Sequence, residues 1–304
     1  MSELITFNLM ISEMLNQVAI SRLFSAKVIR EMAMHGRSTT FSQLARESGF
    51  ADSFPLNKPI SSVFDEAFLI SKNVLYRHEY VYKAAIVDKI FLGVHNLNTA
   101  SMLTELRANN CRADVVVLNG TSTAYEIKSE RDNLNKLETQ ISAYRSVFAR
   151  VNVIAAHKHI DSILHSVPPD VGVQVLSKRY QISTIREAVT DPHRVSPTSI
   201  FESLQIIEAK EIAIQLGIDI PDIPNTKMHL ALKELFKNLD PAEVHHEMVN
   251  VLKRTRSLRQ LSTLIESLPK SLRTAAMTVK LTKKDQLKLI SAMEVKLGEA
   301  LKWS

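Results

Sequence analysis

Residues 112–128 read RADVVVLNGTSTAYEIK and predict the centre of the fold. Two apolar runs, residues 113–119 and 122–128, flank the pair Asn119-Gly120. This pair is typical of a tight turn between antiparallel strands. The sequence therefore predicts a β-hairpin.

Three charged side chains interrupt these apolar strands. Residues two apart in a strand share a face, so Glu126 and Lys128 point the same way. A three-residue turn at 119–121 would place Asp114 opposite Glu126, whereas a two-residue turn would shift the pairing by one. Buried charges need partners, a metal or a catalytic role. One interpretation is an edge hairpin with a Lys–Asp cross-strand pair worth about 0.2–1 kcal/mol. The other is a metal site that cuts phosphodiesters.

The surroundings of Glu126 and Lys128 distinguish this Glu-x-Lys pattern from the other copies in the chain and leave both interpretations open. The Glu-x-Lys pattern occurs three times, and the copies at 208–210 and 294–296 lie in helical patterns without a preceding strand that carries an acid. Two carboxylates at neighbouring strand positions suit a hard cation such as Mg²⁺. Such a cation polarises a phosphate and lowers the pKa of a bound water, and Lys128 would position or assist the nucleophile.

Further polar residues follow on the next predicted helix. In KLETQISAYRSVFARV, Gln140 and Tyr144 lie one turn apart on one face. With Asp114 in the second strand and Glu126 and Lys128 in the third, residues 75–160 resemble the PD-(D/E)XK nuclease superfamily, in a largely uncharacterised bacterial and phage branch. One departure is Ala113, which stands where the motif's name has proline.

The resemblance implies a Mg²⁺- or Mn²⁺-dependent nuclease that hydrolyses phosphodiester bonds, with DNA favoured over RNA. Asp114 and Glu126 would bind the metal together with the carbonyl of Ile127, and Lys128 would serve the hydrolytic water. Gln140 and Tyr144 would hold the substrate or the site.

The superfamily usually places one more acid before the Asp. The sequence offers Glu105, nine residues upstream, as the first choice and Glu79 as the second.

The expected architecture is α/β, with a restriction-endonuclease-like mixed sheet flanked by helices. Residues 1–74 are expected to form a helical N-terminal segment, 75–190 the nuclease-like core and 191–304 a basic, all-helical C-terminal domain. Residues 93–110 are expected to be helical or irregular. A helix-turn-helix within residues 1–50 is an alternative to plain helical packing.

The positive charge is concentrated near the C-terminal end. Residues 225–304 hold 15 Lys and Arg and 8 Asp and Glu, whereas the preceding residues hold 23 and 24. The basic run that we expect to contact nucleic-acid phosphates consists of Lys253, Arg254, Arg256 and Arg259. A solvated helix face is the alternative.

Composition excludes several classes of site. The single cysteine, Cys111, cannot form an intramolecular disulfide or a cysteine-based zinc site.

The absence of a long apolar run or signal-peptide pattern predicts a cytoplasmic protein without a membrane partner. The oligomeric state stays open.

The rival functions are a non-catalytic nucleic-acid-binding or regulatory protein with a nuclease-like fold, and a role for the helical ends in protein interaction.

Overall fold

The computed structural model describes residues 16–304, which form two compact units. We call residues 85–259 the sheet unit, and residues 16–84 together with 260–304 the helical unit. Both ends of the described chain therefore belong to the same unit.

The sheet unit is built around one six-stranded mixed sheet whose strands lie side by side in chain order. The strands are β1 Ser101–Ala108, β2 Cys111–Leu118, β3 Ser122–Lys128, β4 Arg150–Ala155, β5 Gly172–Leu176 and β6 Ile182–Arg186. The first three form an antiparallel meander, β4 and β5 run parallel to β3, and β6 is antiparallel to β5. The predicted α/β class, with helices flanking a mixed sheet and helical segments towards both ends, is confirmed.

The parallel strands form the buried centre of the sheet. Every residue of β5, and all of β4 except Arg150, is buried, as is usual for parallel strands covered on both faces. Parallel strands also need crossover connections. Helices Leu137–Arg145 and Ile160–Ser166 provide them between β3 and β4 and between β4 and β5.

The prediction for residues 93–110 is wrong over 101–108, which form β1. This strand lies at the edge of the sheet, and polar residues such as Thr104 and Arg107 weaken its apolar alternation. Its structure comes from pairing with β2, for example Met102 with Val117, which no local pattern reveals.

The helices after the sheet share its hydrophobic core. Phe201, Ile212, Leu232 and Leu252 are buried in one cluster with strand residues such as Val153. The helices of the sheet unit are α7 Leu92–Val94, α8 Leu137–Arg145, α9 Ile160–Ser166, α10 Pro197–Ser203, α11 Ile206–Gln215, α12 Asn225–Phe236 and α13 Pro241–Thr255, with a π-helical turn at Ile86–Phe91. Residues 191–259 therefore group with the sheet, and the predicted segments 1–74, 75–190 and 191–304 do not coincide with the compact units.

The helical unit brings both ends of the described chain together. Ser42 Oγ donates to the Leu301 carbonyl at 2.8 Å, and the Ile60 N–H donates to the Val295 carbonyl at 2.9 Å. Its helices are α1 Gln17–Arg22, α2 Ala26–His35, α3 Thr39–Glu47, α4 Phe50–Ser53, α5 Ile60–Ser71, α6 Glu79–Ala85, α14 Ser262–Ser267, α15 Lys270–Met277, α16 Lys283–Met293 and α17 Leu297–Ala300. The N-terminal helices are confirmed from residue 17 onward; the first 15 residues of that prediction lie outside the described residues.

In the part of the chain from residue 16 onward, no helix combines the length and apolar character needed to span a membrane.

A buried hydrogen bond joins α13 to the sheet. His245 Nε2 lies 2.8 Å from Ser122 Oγ, which also accepts the Ala149 N–H at 3.1 Å. Ser122 and His245 are both buried. Burial, and secondarily the nearby His246, lower the pKa of His245 to about 4. The imidazole is therefore neutral at pH 7.

The low pKa of His245 predicts that the free energy of unfolding falls in acid. Its pKa in the folded state, about 4, lies below the ordinary 6.5, so the unfolded chain takes up the proton first as the pH falls. The free energy of unfolding should be unaffected by His245 above about pH 7 and should fall by up to about 3 kcal/mol between pH 6.5 and 4. Urea unfolding across this pH range, compared with His245→Gln, measures the contribution. An equal pH dependence in both proteins would contradict it.

Candidate active site

The hairpin of β2 and β3 has the register that aligns the predicted acids. Leu118 pairs with Ser122 across a three-residue turn, in which Gly120 has a φ of 68°. The ladder continues to Val115 and Tyr125, so the next facing positions are those of Asp114 and Glu126. Of the two turn lengths that the sequence leaves open, the structure has the three-residue one.

Asp114 lies next to the last backbone pair of this ladder and contacts β3 through its side chain. Its Oδ2 accepts the backbone N–H of Ile127 at 2.7 Å. The contact fixes one carboxylate oxygen of Asp114 against β3, and the side chain is half-buried. Ile127 thus meets Asp114 through its N–H; its predicted use as a carbonyl ligand stays a prediction.

Glu126 is a buried carboxylate with a partner on each oxygen. It is 1% exposed. Oε1 lies 2.8 Å from Lys128 Nζ, and Oε2 accepts the Tyr144 hydroxyl at 2.7 Å. Burial raises the pKa of Glu126, while the charge of Lys128 and these hydrogen bonds act in the opposite direction.

Helix α8 packs on the sheet and contributes Gln140 and Tyr144 to this network. Leu137, Ile141 and Tyr144 are buried along one side of the helix, which packs it against β2 and β4. Gln140, one turn before Tyr144, accepts a hydrogen bond from Lys128 Nζ at 2.8 Å through Oε1. The predicted residues Glu126, Lys128, Gln140 and Tyr144 are therefore in direct contact.

Tyr144 has a second acceptor that the sequence did not reveal. Its hydroxyl lies 2.6 Å from the carbonyl of Arg112 as well as close to Glu126. Burial and then the charge of Glu126 raise the pKa of Tyr144, so the hydroxyl remains a donor. Tyr144 links the start of β2 to the buried carboxylate.

Glu105 lies beside Asp114. It stands between the pairs Thr104–Val115 and Leu106–Ala113, which places it across from Asp114. A carboxylate oxygen of Glu105 lies within 4.8 Å of one of Asp114. Glu105 is exposed and has a φ of 55°, a left-handed conformation that costs about 1–3 kcal/mol and is often kept at functional sites.

The runner-up acid, Glu79, begins helix α6 of the helical unit. It is exposed and forms an ion pair with Lys83 at 2.5 Å.

The acids divide into two groups with different environments. Glu105 and Asp114 bring carboxylate oxygens within 4.8 Å of each other, and carboxylate oxygen is the donor type that Mg²⁺ and Mn²⁺ prefer. Both oxygens of Glu126 are engaged by Lys128 and Tyr144. The chemistry of the donor set thus fits a divalent cation at Glu105 and Asp114, while the predicted joint role of Glu126 would require it to leave its present partners.

The four basic residues predicted to bind nucleic acid have different surroundings. Arg256 forms a bidentate ion pair with Glu208, with Nε–Oε1 at 2.7 Å and Nη2–Oε2 at 2.6 Å. Arg254 forms an ion pair with Glu211 at the surface. Lys253 and Arg259 line a cleft at the end of α13.

Arg256 therefore stabilises the fold, and its replacement should be costly. Glu208 is 2% exposed, and although burial acts to raise its pKa, hydrogen bonds from Arg256 and the Gln205 N–H hold the pKa below its usual value. Arg256→Met should lower the free energy of unfolding by about 3 kcal/mol, because a buried carboxylate loses its counter-charge. Arg254→Met, which breaks a more exposed pair, should cost less than about 1 kcal/mol. Urea unfolding compares them, and equal losses would contradict the assignment.

Comparison with known proteins places the chain in a phage family. The family model described as "Bacteriophage P4 protein cII" matches residues 72–283, which include the whole sheet unit. Protein cII of Enterobacteria phage P4 is 35% identical over 128 residues, 40% of this chain and 48% of the relative. The matched region thus spans about half the length of that curated relative.

A solved structure also shows a weak likeness. It is the SPO1766 protein of unknown function from Silicibacter pomeroyi, 16% identical, with 44% of this chain and 88% of that chain covered and a TM-score of 0.30. A likeness of this size supports no conclusion about fold or function. The family match covers more than two thirds of the sequence, and the chain belongs to the bacteriophage P4 protein cII family.

Proposed function

We propose that this protein is a Mg²⁺-dependent nuclease that hydrolyses phosphodiester bonds, with DNA as the favoured substrate. The observation that carries the proposal is a row of acids on three neighbouring strands, Glu105, Asp114 and Glu126. Lys128 follows on the face of Glu126 and contacts it. This arrangement supports the resemblance to the PD-(D/E)XK superfamily, which has an acid in the second strand and Glu and Lys in the third.

The chain's own residues divide the chemical work. Glu105 and Asp114 would hold the cation, and the Ile127 N–H orients the Asp114 carboxylate towards β3. A bound Mg²⁺ or Mn²⁺ supplies charge neutralisation at the phosphate and a water of lowered pKa. Lys128 Nζ, a donor on the same sheet face, would hold the attacking water by hydrogen bonding.

Glu126, Gln140 and Tyr144 position Lys128. Glu126 and Gln140 hold its Nζ from two sides, each at 2.8 Å, and Tyr144 in turn holds Glu126. A general acid or base is effective only when its position is fixed within hydrogen-bond reach of its target. Direct binding of a cation by Glu126 would require its carboxylate to exchange Lys128 or Tyr144 for the ion.

The same network favours a second candidate, a non-catalytic nucleic-acid-binding or regulatory protein with a nuclease-like fold. Glu126 and Lys128 neutralise each other, with 2% and 9% of their side chains exposed. A closed ion pair of this kind suits a structural role. Both candidates are proposed to act in the cytoplasm, and they differ in whether the protein breaks phosphodiester bonds.

Cleavage assays separate the two candidates. The purified protein is incubated with plasmid, linear and branched DNA and with RNA, in the presence of Mg²⁺, Mn²⁺ or EDTA. The nuclease proposal expects products with either metal and none with EDTA. Binding without cleavage of any substrate would support the second candidate and sink the first.

A further inference from the structure

A cleft of about 440 Å³ in the sheet unit is lined by three basic side chains. It lies where residues 97–100 meet the C-terminal end of α13. The basic lining residues are Lys253, Arg254 and Arg259, and the neutral ones are Leu97, Asn98, Ala100, Asn250 and Ser257. Among the described residues no acidic side chain lines the cleft, so the charge of its lining is positive.

The cations of this cleft differ in how far they are already neutralised. Arg254 shares its charge with Glu211. Arg259 Nε donates to Asn98 Oδ1 at 2.9 Å, a neutral acceptor that orients the guanidinium without cancelling its charge. Within residues 16–304, Lys253 has no ion-pair partner. Lys253 and Arg259 are therefore the two cations available to an anion.

The neutral lining residues add the donors that a phosphate needs. Asn98, Asn250 and Ser257 carry amide or hydroxyl groups that can donate hydrogen bonds to non-bridging oxygens. Most hydrogen bonds between proteins and nucleic acids go to the backbone and come from such groups together with Arg and Lys. The lining, as far as the chain is described, has no aromatic side chain on which a base could stack. The chemistry suits the phosphate of a backbone better than a free base.

The cleft has a defined position relative to the acids. Ser101 Oγ donates to the Arg256 carbonyl at 3.0 Å, which fixes the end of α13 beside the first residue of β1. Glu105 lies four residues further along this strand. At about 3.3 Å per residue, Ser101 and Glu105 are roughly 13 Å apart along β1. This distance corresponds to about four base pairs of a duplex at 3.4 Å per base pair.

We propose that this cleft binds a backbone phosphate of a DNA duplex, about four base pairs from the position of Glu105 and Asp114. The inference rests on the proposed function for the identity of the anion. It narrows the predicted basic surface to Lys253 and Arg259, with Asn98 as the residue that orients Arg259, and it leaves Arg256 to the fold. The contact is sequence-independent because phosphates carry no base information.

The test measures binding without catalysis. A short labelled DNA duplex is titrated in EDTA over a series of salt concentrations, with wild type, Lys253→Ala/Arg259→Ala and the control Lys227→Ala/Lys237→Ala. The control removes the same charge from exposed positions of the same unit. The cleft variant should bind roughly ten- to a hundredfold more weakly near 0.1 M salt, and the slope of log K against log salt should fall by about two. Lys253→Gln alone should lower the slope by about one.

The control and the cleft variant must differ for the inference to stand. If both pairs of substitutions change affinity and slope equally, the effect is one of net charge and the cleft assignment is overturned. The nuclease proposal fails separately, by an absence of cleavage in wild type. A wild type that binds without cleaving, together with a weakened cleft variant, would keep the cleft and remove the nuclease.

Discussion

Replacing Lys128 with Met should abolish DNA cleavage and lower the free energy of unfolding by about 3–5 kcal/mol. The stability loss has a specific cause. Lys128 Nζ is the counter-charge 2.8 Å from Glu126 Oε1, and Glu126 is 1% exposed. Without it, the buried carboxylate keeps the hydrogen bond from the neutral Tyr144 hydroxyl but loses its counter-charge. Gln140 also loses the ammonium that it binds at 2.8 Å.

A double variant separates folding from catalysis. Glu126→Gln/Lys128→Met removes both charges at once, so no uncompensated charge remains and most of the lost stability should return. Cleavage should stay absent, because the ammonium is still missing. Urea unfolding gives the stabilities, and nicking of plasmid DNA with Mg²⁺ gives the activity.

The chain offers a matched control for this pair. Glu294-Val295-Lys296 has the same spacing, but both charged side chains are exposed. Lys296→Met should change the free energy of unfolding by less than about 0.5 kcal/mol and leave cleavage intact. Cleavage by the double variant would remove Lys128 from the mechanism. A double variant as unstable as Lys128→Met alone would contradict the ion pair as the source of the loss.

The parts of the site that could be predicted follow from local rules. The Asn119-Gly120 pair predicts the hairpin, and the three-residue turn of the structure, one of the two lengths that the sequence leaves open, aligns Asp114 with Glu126. Strand alternation places Lys128 on the face of Glu126, and the helical repeat places Gln140 and Tyr144 one turn apart. Each rule acts over a few residues, which is why the sequence carries it.

The parts that were missed depend on distant partners. The partner of Arg256 is Glu208, 48 residues away, and neither residue's local pattern indicates the pair. The strand that holds Glu105 exists through pairing with β2. The closed state of Glu126 also escapes prediction, because a spacing of acids shows which groups meet and not which of them is buried.

The second large expected effect is the loss of cleavage when an acid of the proposed metal site is neutralised. Three variants test it, one each at Asp114, Glu105 and the alternative first acid, Glu79. Asp114→Asn and Glu105→Gln should each slow cleavage by about a hundredfold or more, since the charge stabilisation supplied by a catalytic cation is worth several kcal/mol. Both substitutions keep the size of the side chain, and the amide oxygen introduced by Asp114→Asn can still accept the Ile127 N–H. Folding and DNA binding in EDTA should therefore remain close to wild type.

Glu79→Gln serves as the comparison, because Glu79 is the alternative first acid and is also exposed. If Glu105 is the first acid, Glu79→Gln should cleave at nearly the wild-type rate. Calorimetric titration with Mn²⁺ provides a measure independent of activity, and binding should weaken in Asp114→Asn and Glu105→Gln only. Loss of Mn²⁺ binding in Glu79→Gln with retention in Glu105→Gln would reverse the assignment. If Mn²⁺ binding is unchanged in all three variants, the assignment of the cation to these acids is wrong. Neutralising a carboxylate ligand weakens the binding of a hard divalent ion with or without substrate.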